Sequence, residues 1–162
     1  MPEQEKLLNL EDHINNSELS GRALKNALDF VAYMRANEMP PDPKDDNWFK
    51  YKNQNVCIIM LDFPAAGDWE IFWSDCDVYH SESDNSQADE QLSKFAQSHA
   101  NPCSMEHEKC LKGRQKTIFG KEFECLCTST MSFENPDTEE LNYITELAEM
   151  RKQNIAIGKR SQ

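Results

Sequence analysis

The sequence predicts a single α+β domain: an antiparallel sheet of about four to five strands, with helices at both ends and one between the strand groups. The length of 162 residues suits one domain. Apolar residues recur at helical spacing near the start, middle and end, and the blocks between them are rich in aromatic and β-branched residues. No linker longer than a loop separates these blocks, so residues 1–162 are expected to form one unit, loosely ordered over 1–16 and 155–162.

The clearest helix is predicted over residues 18–37, where apolar side chains fall on one stripe. Ser17 or Ser20 can cap its start by accepting a backbone N–H bond. The run PPDP at residues 40–43 ends it, because proline lacks a backbone donor and restricts the preceding residue. A shorter helix is predicted over residues 3–14.

The first strand block covers residues 48–52 and 56–63, with Asn53-Gln-Asn55 forming either a turn or a polar part of one long strand. The run PAAGD at residues 64–68 is a turn signal. The next strand, WEIFW at residues 69–73, is apolar on both faces. We therefore expect it to be central in the sheet and covered on one side by a helix.

The second half of the chain repeats this order. A helix is predicted over residues 84–99 and a strand over residues 123–133, where apolar and polar side chains alternate. A tight turn at Gly120 joins that strand to a partner over residues 116–119. Asp137 or Thr138 is expected to cap a final helix that continues to about residue 154, with acidic residues in its first turn that suit the helix dipole.

The segment KTIFGKEFECLCTSTMSFENPDTEELNYITELAEMRK resembles the C-terminal part of a set of small, uncharacterised bacterial proteins. The run WEIFWSD is also similar to them. The resemblance is strongest over residues 117–152 and weaker over residues 28–76. It implies a shared fold and no particular activity.

The charge balance limits the classes of partner. The chain has 29 acidic and 17 basic side chains, for a net charge of -12. Such a field repels nucleic acid and anionic membranes and favours a basic partner, and an acidic inhibitor that mimics nucleic acid is one alternative. The longest apolar run, VCIIML at residues 56–61, is too short to cross a membrane and places Cys57 in the core. The N-terminus lacks a secretory signal, so a cytoplasmic protein is expected.

A metal site is predicted around the run CSMEHEKC. If this segment is helical, Cys103, His107 and Cys110 share one face. Thiolate sulfur and imidazole nitrogen are ligands that zinc prefers, and Cys125 or Cys127 is able to supply the fourth ligand from a strand. Two alternatives stay open: Cys110 is a reactive thiol beside His107, or the two strand cysteines are simply buried apolar side chains.

A dense set of aromatic residues lies between positions 48 and 79. These rings either fill one core or serve both faces of a sheet, one of which lines a groove for a small ligand or a peptide. The predicted ligand-binding residues are Trp48, Tyr51, Trp69 and Trp73. Because phosphate-binding loops, zinc-protease helices and nucleophile elbows are lacking, the sequence favours a small acidic binding domain without catalysis.

Zinc binding can be tested on the natively purified chain. We expect about one equivalent of zinc by elemental analysis, and loss of folding on chelation, because binding and folding of a structural site are coupled. Cys103→Ser should lower the zinc content, whereas Cys76→Ser, at a cysteine outside the predicted ligand set, should leave it unchanged. Metal-free protein with an unchanged melting temperature would contradict the prediction.

Overall fold

The computed structural model describes residues 8–73, 90–102 and 114–156, with side-chain placement omitted for a few positions within these ranges. This part of the chain contains four helices: α1 (Leu10–Asn16), α2 (Gly21–Ala36), α3 (Glu90–Ser98) and α4 (Thr138–Ala156). It also contains seven strands: β1 (Pro41–Asp42), β2 (Asp45–Tyr51), β3 (Gln54–Leu61), β4 (Trp69–Trp73), β5 (Ala100–Pro102), β6 (Arg114–Ile118) and β7 (Lys121–Glu134). The predicted α+β class with an antiparallel sheet is confirmed. Of the described helices, none has both the length and the apolar character that a bilayer crossing requires.

The sheet has the strand order β1-β2-β3-β4-β7-β5, and β6 also pairs with β7. Every pairing is antiparallel. β4 lies between β3 and β7, so its predicted central position is confirmed. The strand number exceeds the expected four to five, in part because β1 and β5 have only two and three residues, too few for a periodic pattern.

One face of the sheet, called here the inner face, forms the centre of the core. Its members are at most 1% exposed: Phe49, Cys57, Ile59, Trp69, Ile71, Trp73, Met131 and Phe133. α2 covers this face through Phe30, whose ring centroid lies 5.4 Å from that of Phe49 and 6.4 Å from that of Trp69. The expected cover of one side of β4 by a helix is therefore confirmed.

The other two long elements of the helical layer meet at an aromatic cluster. Phe95 of α3 stacks on Phe133 of β7 with a centroid distance of 5.4 Å, and Tyr143 of α4 stacks on Phe95 at 4.8 Å. Arg151 of α4 donates Nε and Nη2 to the carbonyl oxygen of Asn55, at 3.2 and 3.1 Å. α4 thus extends from the aromatic cluster beside β7 to Asn55 of β3.

A bulge in β3 explains why two adjacent residues are both buried. Phe49 pairs with Cys57 but Lys50 pairs with Asn55, which leaves Val56 as an extra residue on β3. Val56 and Cys57 are both fully buried, so the expected core position of Cys57 is confirmed. Burial raises the pKa of the Cys57 thiol far above its usual range and makes it a poor nucleophile.

Two hairpin turns have left-handed residues at both central positions. Lys52 and Asn53 have φ angles of 48° and 64°, and Phe119 and Gly120 have 46° and 85°. This geometry matches the right-handed twist of the flanking strands. The predicted turn at Gly120 is therefore confirmed. Of the two alternatives for residues 53–55, the structure has a turn, at Lys52 and Asn53, and β3 starts at Gln54.

The helix ends differ in part from the expectation. Ser20 occupies the N-cap of α2, but its side chain makes no capping bond, and the Ser17 hydroxyl instead donates to the carbonyl oxygen of Ile14 at 2.6 Å. The predicted cap of the final helix is confirmed, because the Asp137 carboxylate accepts the backbone N–H of Glu140 at 2.8 Å.

The N-terminal helix α1 begins later than predicted and belongs to the core. The Asn9 side chain accepts the backbone N–H of Asp12 at 2.9 Å, which caps the helix at its start. Leu10 and Ile14 are fully buried. This part of the first sixteen residues is therefore packed rather than loosely ordered.

Tyr33 provides a test of the contact between α2 and α4. Its hydroxyl donates to Glu149 Oε1 at 3.1 Å, and burial, reinforced by the charge of Glu149, raises its pKa to about 12. We expect Tyr33→Phe to lower the free energy of unfolding by about 1 kcal/mol at neutral pH. The control Tyr143→Phe removes a longer bond to Gln91, 3.4 Å at an exposed position, and should cost less.

The Tyr33–Glu149 hydrogen bond also predicts how the free energy of unfolding depends on pH. Between the ordinary tyrosine value of 10.0 and about 12, the unfolded Tyr33 loses its proton while the folded one keeps it. The unfolded state then binds fewer protons, so stability falls with pH in this window. The difference between wild type and Tyr33→Phe, measured by urea denaturation, should therefore shrink as the pH rises. A difference that grows with pH would contradict the assignment.

Candidate functional site

The face of the sheet opposite the helices, called here the outer face, carries a cross-strand row of large apolar side chains. Trp48 of β2 pairs with Ile58 of β3, Ile58 pairs with Phe72 of β4, and Phe72 pairs with Ser132 of β7. All four are half-buried, whereas their neighbours along the strands point into the core. The row is therefore in contact with solvent over part of its area.

A second row of the outer face contains two carboxylates. Met60 pairs with Glu70, and Glu70 pairs with Glu134. Glu70 and Glu134 occupy directly opposite positions of β4 and β7, an arrangement in which like charges repel. This row lies two residues along β3 and β4 from the apolar row, which is roughly 7 Å in an extended strand.

The protonation of Glu70 reflects this environment. Partial burial raises the pKa of its carboxyl group, the charge of Glu134 raises it further, and a hydrogen bond with Ser132 opposes both effects. A raised pKa means that the ionised form is disfavoured in the folded protein. A cation placed between the two carboxylates would relieve this cost.

The loop between β3 and β4 extends the apolar row. Phe63 is 39% exposed, and its ring meets that of Phe72 edge-to-face at a centroid distance of 5.9 Å. The Asp62 carboxylate holds the loop by accepting the backbone N–H of Gly67 at 3.0 Å and that of Glu18 at 3.2 Å. The exposed ring thus sits on a fixed loop beside the outer face.

Asn135 fixes the other end of this loop. Its side-chain Oδ1 accepts the backbone N–H of Trp69 at 3.0 Å, and its Nδ2 donates to Asp68 Oδ1 at 3.0 Å. Asn135 adopts a left-handed conformation with φ 44°, which asparagine tolerates better than most residues. The sequence carries no local signal for these contacts, because Asn135 and Trp69 are far apart along the chain.

The structure does not bring the four predicted ligand-binding residues together. Trp69 and Trp73 lie on the inner face, 1% and 0% exposed, so they are core residues. Tyr51 also points to the helical side, where the Lys152 ammonium lies 5.6 Å from its ring centroid. Trp48 alone of the four belongs to the outer face. The strand register, which the sequence does not specify, places Ile58 and Phe72 beside it.

The predicted metal ligands fall largely outside the described residues. Cys103, His107 and Cys110 lie between the described ranges, and Cys125 is a backbone position of β7 whose side chain is not described. Within the described residues there is no group of three or more histidine, cysteine, aspartate or glutamate side chains arranged to hold a metal ion. Zinc binding by these four residues stays a prediction.

Comparison of the chain with protein-family models, curated proteins and solved structures finds no match. The resemblance of residues 117–152 to small bacterial proteins therefore stays a prediction. The arguments about function below depend on the geometry and charge of the described residues.

Glu70 and Glu134 repel each other when both are ionised. Removing the charge of one of them should therefore raise the free energy of unfolding, by an amount that depends on pH. We expect Glu70→Gln to raise the free energy of unfolding by roughly 0.5 kcal/mol at neutral pH, because like charges directly opposite in a sheet destabilise it. The folded pKa of Glu70 lies above its ordinary value of 4.5, so the penalty is present only above that value. The gain should disappear as the pH falls below about 4, where Glu70 is protonated in both states.

Glu122→Gln is the matched control, since Glu122 is an exposed glutamate of β7 that pairs with Thr117. Its substitution should leave stability nearly unchanged. Chemical denaturation of both variants over the acidic range distinguishes the cases. If both variants gained the same stability, or if Glu70→Gln remained more stable than wild type below about pH 4, repulsion between Glu70 and Glu134 would not be the source of the added stability.

Proposed function

We propose that this protein is a small acidic binding domain, without catalysis, whose outer face binds a basic amphipathic segment of a protein partner in the cytoplasm. The observation that carries the proposal is the partly exposed row Trp48–Ile58–Phe72 next to the carboxylate pair Glu70–Glu134. Apolar and acidic groups stand in separate, adjacent rows.

The apolar row supports the binding of a protein segment. Trp48 of β2 and Phe72 of the central strand β4 are large rings that remain partly exposed, and Phe63 adds a third, more exposed ring. Contiguous exposed apolar surface is typical of interaction sites, and aromatic side chains are frequent anchors of binding energy. Because the strands are hydrogen-bonded, these rings need little ordering when a partner binds.

The acidic row supports a basic partner. An ammonium or guanidinium group near Glu70 and Glu134 would offset their mutual repulsion and form charge-assisted hydrogen bonds. The net charge of -12 would in addition attract a basic segment at long range and repel an acidic one. The pair of rows thus fits a segment with apolar side chains on one side and lysine or arginine on the other.

The proposal can be tested with a short synthetic peptide in which arginine alternates with leucine. Binding is followed by tryptophan fluorescence, to which Trp48 should contribute most of the change because Trp69 and Trp73 are buried in the core. We expect Phe72→Thr to weaken binding by roughly tenfold, since a central anchor contributes more than 1 kcal/mol. Threonine keeps the strand preference of this position.

Leu28→Gln provides the control. Leu28 is a half-buried apolar residue of α2, on the helical side of the sheet, and its substitution should not change peptide binding. A peptide with aspartate in place of arginine should bind much more weakly. Equal loss in Phe72→Thr and Leu28→Gln at matched melting temperatures would refute the site, and equal binding of both peptides would refute the role of the carboxylates.

A further inference from the structure

A second concave surface lies at the β1 edge of the sheet, away from the carboxylate pair on β4 and β7. It is a cleft of about 410 Å³ between the end of α2 and the hairpin turns on either side of β2. Proline rings form one part of its wall: Pro40, Pro41 and Pro43. Lysines form another part: Lys44, Lys50 and Lys52. We refer to this surface as the lysine cleft.

The two carboxylates of the cleft wall already have lysine partners. Asp42 accepts the backbone N–H of Lys44 at 3.0 Å through Oδ1, and its Oδ2 lies 3.0 Å from the Lys50 ammonium. Glu38 Oε2 lies 3.6 Å from the ammonium of Lys152. These pairs neutralise the acidic part of the wall.

The remaining lysines of the wall carry the excess charge. In the described part of the chain, neither the Lys44 nor the Lys52 ammonium lies within ion-pair distance of a carboxylate. Lys52 Nζ lies 5.4 Å from the ring centroid of Tyr51, and Lys152 Nζ lies 5.6 Å from the same centroid. Both ammonium groups thus lie near the Tyr51 ring, and of the two lysines only Lys52 lines the cleft. In a chain with a net charge of -12, such a local excess of cations is unexpected.

The backbone around these lysines has restricted torsion angles. Lys52 is held in a two-residue turn with φ 48°, and the prolines have fixed φ angles. Rigid walls limit the entropy that is lost when a ligand binds. The ammonium groups therefore project from a surface that is already formed.

We propose that the lysine cleft binds a phosphorylated small molecule. Lys44 and Lys52 would bind the phosphate group as point charges, as lysine commonly does. The volume of about 410 Å³ is larger than a phosphate ion needs and lies within the range of small-molecule sites. The proline rings would contact the apolar body of the ligand. This site shares no residue with the two rows of the outer face and does not depend on the function proposed for them.

The experiment uses the full chain and two probes, inorganic phosphate and glycerol phosphate, followed by NMR of the backbone amides and by calorimetry. We expect saturable shifts at Lys44, Lys52 and Asn53, and tighter binding of glycerol phosphate. The double variant Lys44→Gln/Lys52→Gln should lose at least about tenfold in affinity, because a hydrogen bond to a charged group contributes more than about 1.4 kcal/mol.

The matched control is Lys25→Gln/Lys94→Gln. Both lysines are exposed on helices and paired with a carboxylate four residues away, so this variant has the same net charge as the cleft variant. Its phosphate affinity should stay close to that of wild type. Absence of saturable shifts, or an equal loss in both double variants, would overturn the proposal. Binding of the arginine–leucine peptide should be retained in the cleft variant, so the two proposals can fail separately.

Discussion

Burial of one side of β4 determines the arrangement of the rest of the molecule. Trp69, Ile71 and Trp73 are almost completely inaccessible to solvent, and burying each such side chain contributes roughly 1.5–3 kcal/mol. To exclude water from them, β4 needs a strand on each side and a layer of helices above it. β3 and β7 provide the strands, and Phe30 of α2 provides the first contact of the helical layer.

The outer face is a consequence of this burial. Because side chains alternate along a strand, placing Trp69, Ile71 and Trp73 inward forces Glu70 and Phe72 outward. The register with β3 then sets Ile58 beside Phe72, and the register with β7 sets Glu134 beside Glu70. The carboxylates of the outer face lie away from the lysines at the β1 edge. We therefore expect the outer face to attract cations and the lysine cleft to attract anions. Under the two proposals, one chain of strongly acidic composition offers sites for ligands of both signs.

Much of the fold could be predicted from local patterns. The apolar stripe of α2, the two-sided apolar run of β4 and the turn at Gly120 each depend on neighbours within a few residues, and each lies where it was expected. The site was only partly predictable. Trp48 was among the predicted ligand-binding residues but Phe72 was not, because an apolar pattern on both sides of β4 does not show which side faces solvent. Partners distant in sequence, such as Asn135 and Trp69, had no local signal.

The sequence by itself determined the α+β class, the acidic character and the central position of β4, because these depend on composition and on short-range periodicity. Only the tertiary structure decided which face each aromatic residue occupies. Trp48 and Tyr51 lie three residues apart on β2 and therefore face opposite sides of the sheet, and the pairings from β2 to β4 align Trp48, Ile58 and Phe72. A shift of one residue would exchange the two faces, since strand side chains have a period of two. Long-range pairing is therefore what turns a set of aromatic residues into one core and one exposed surface.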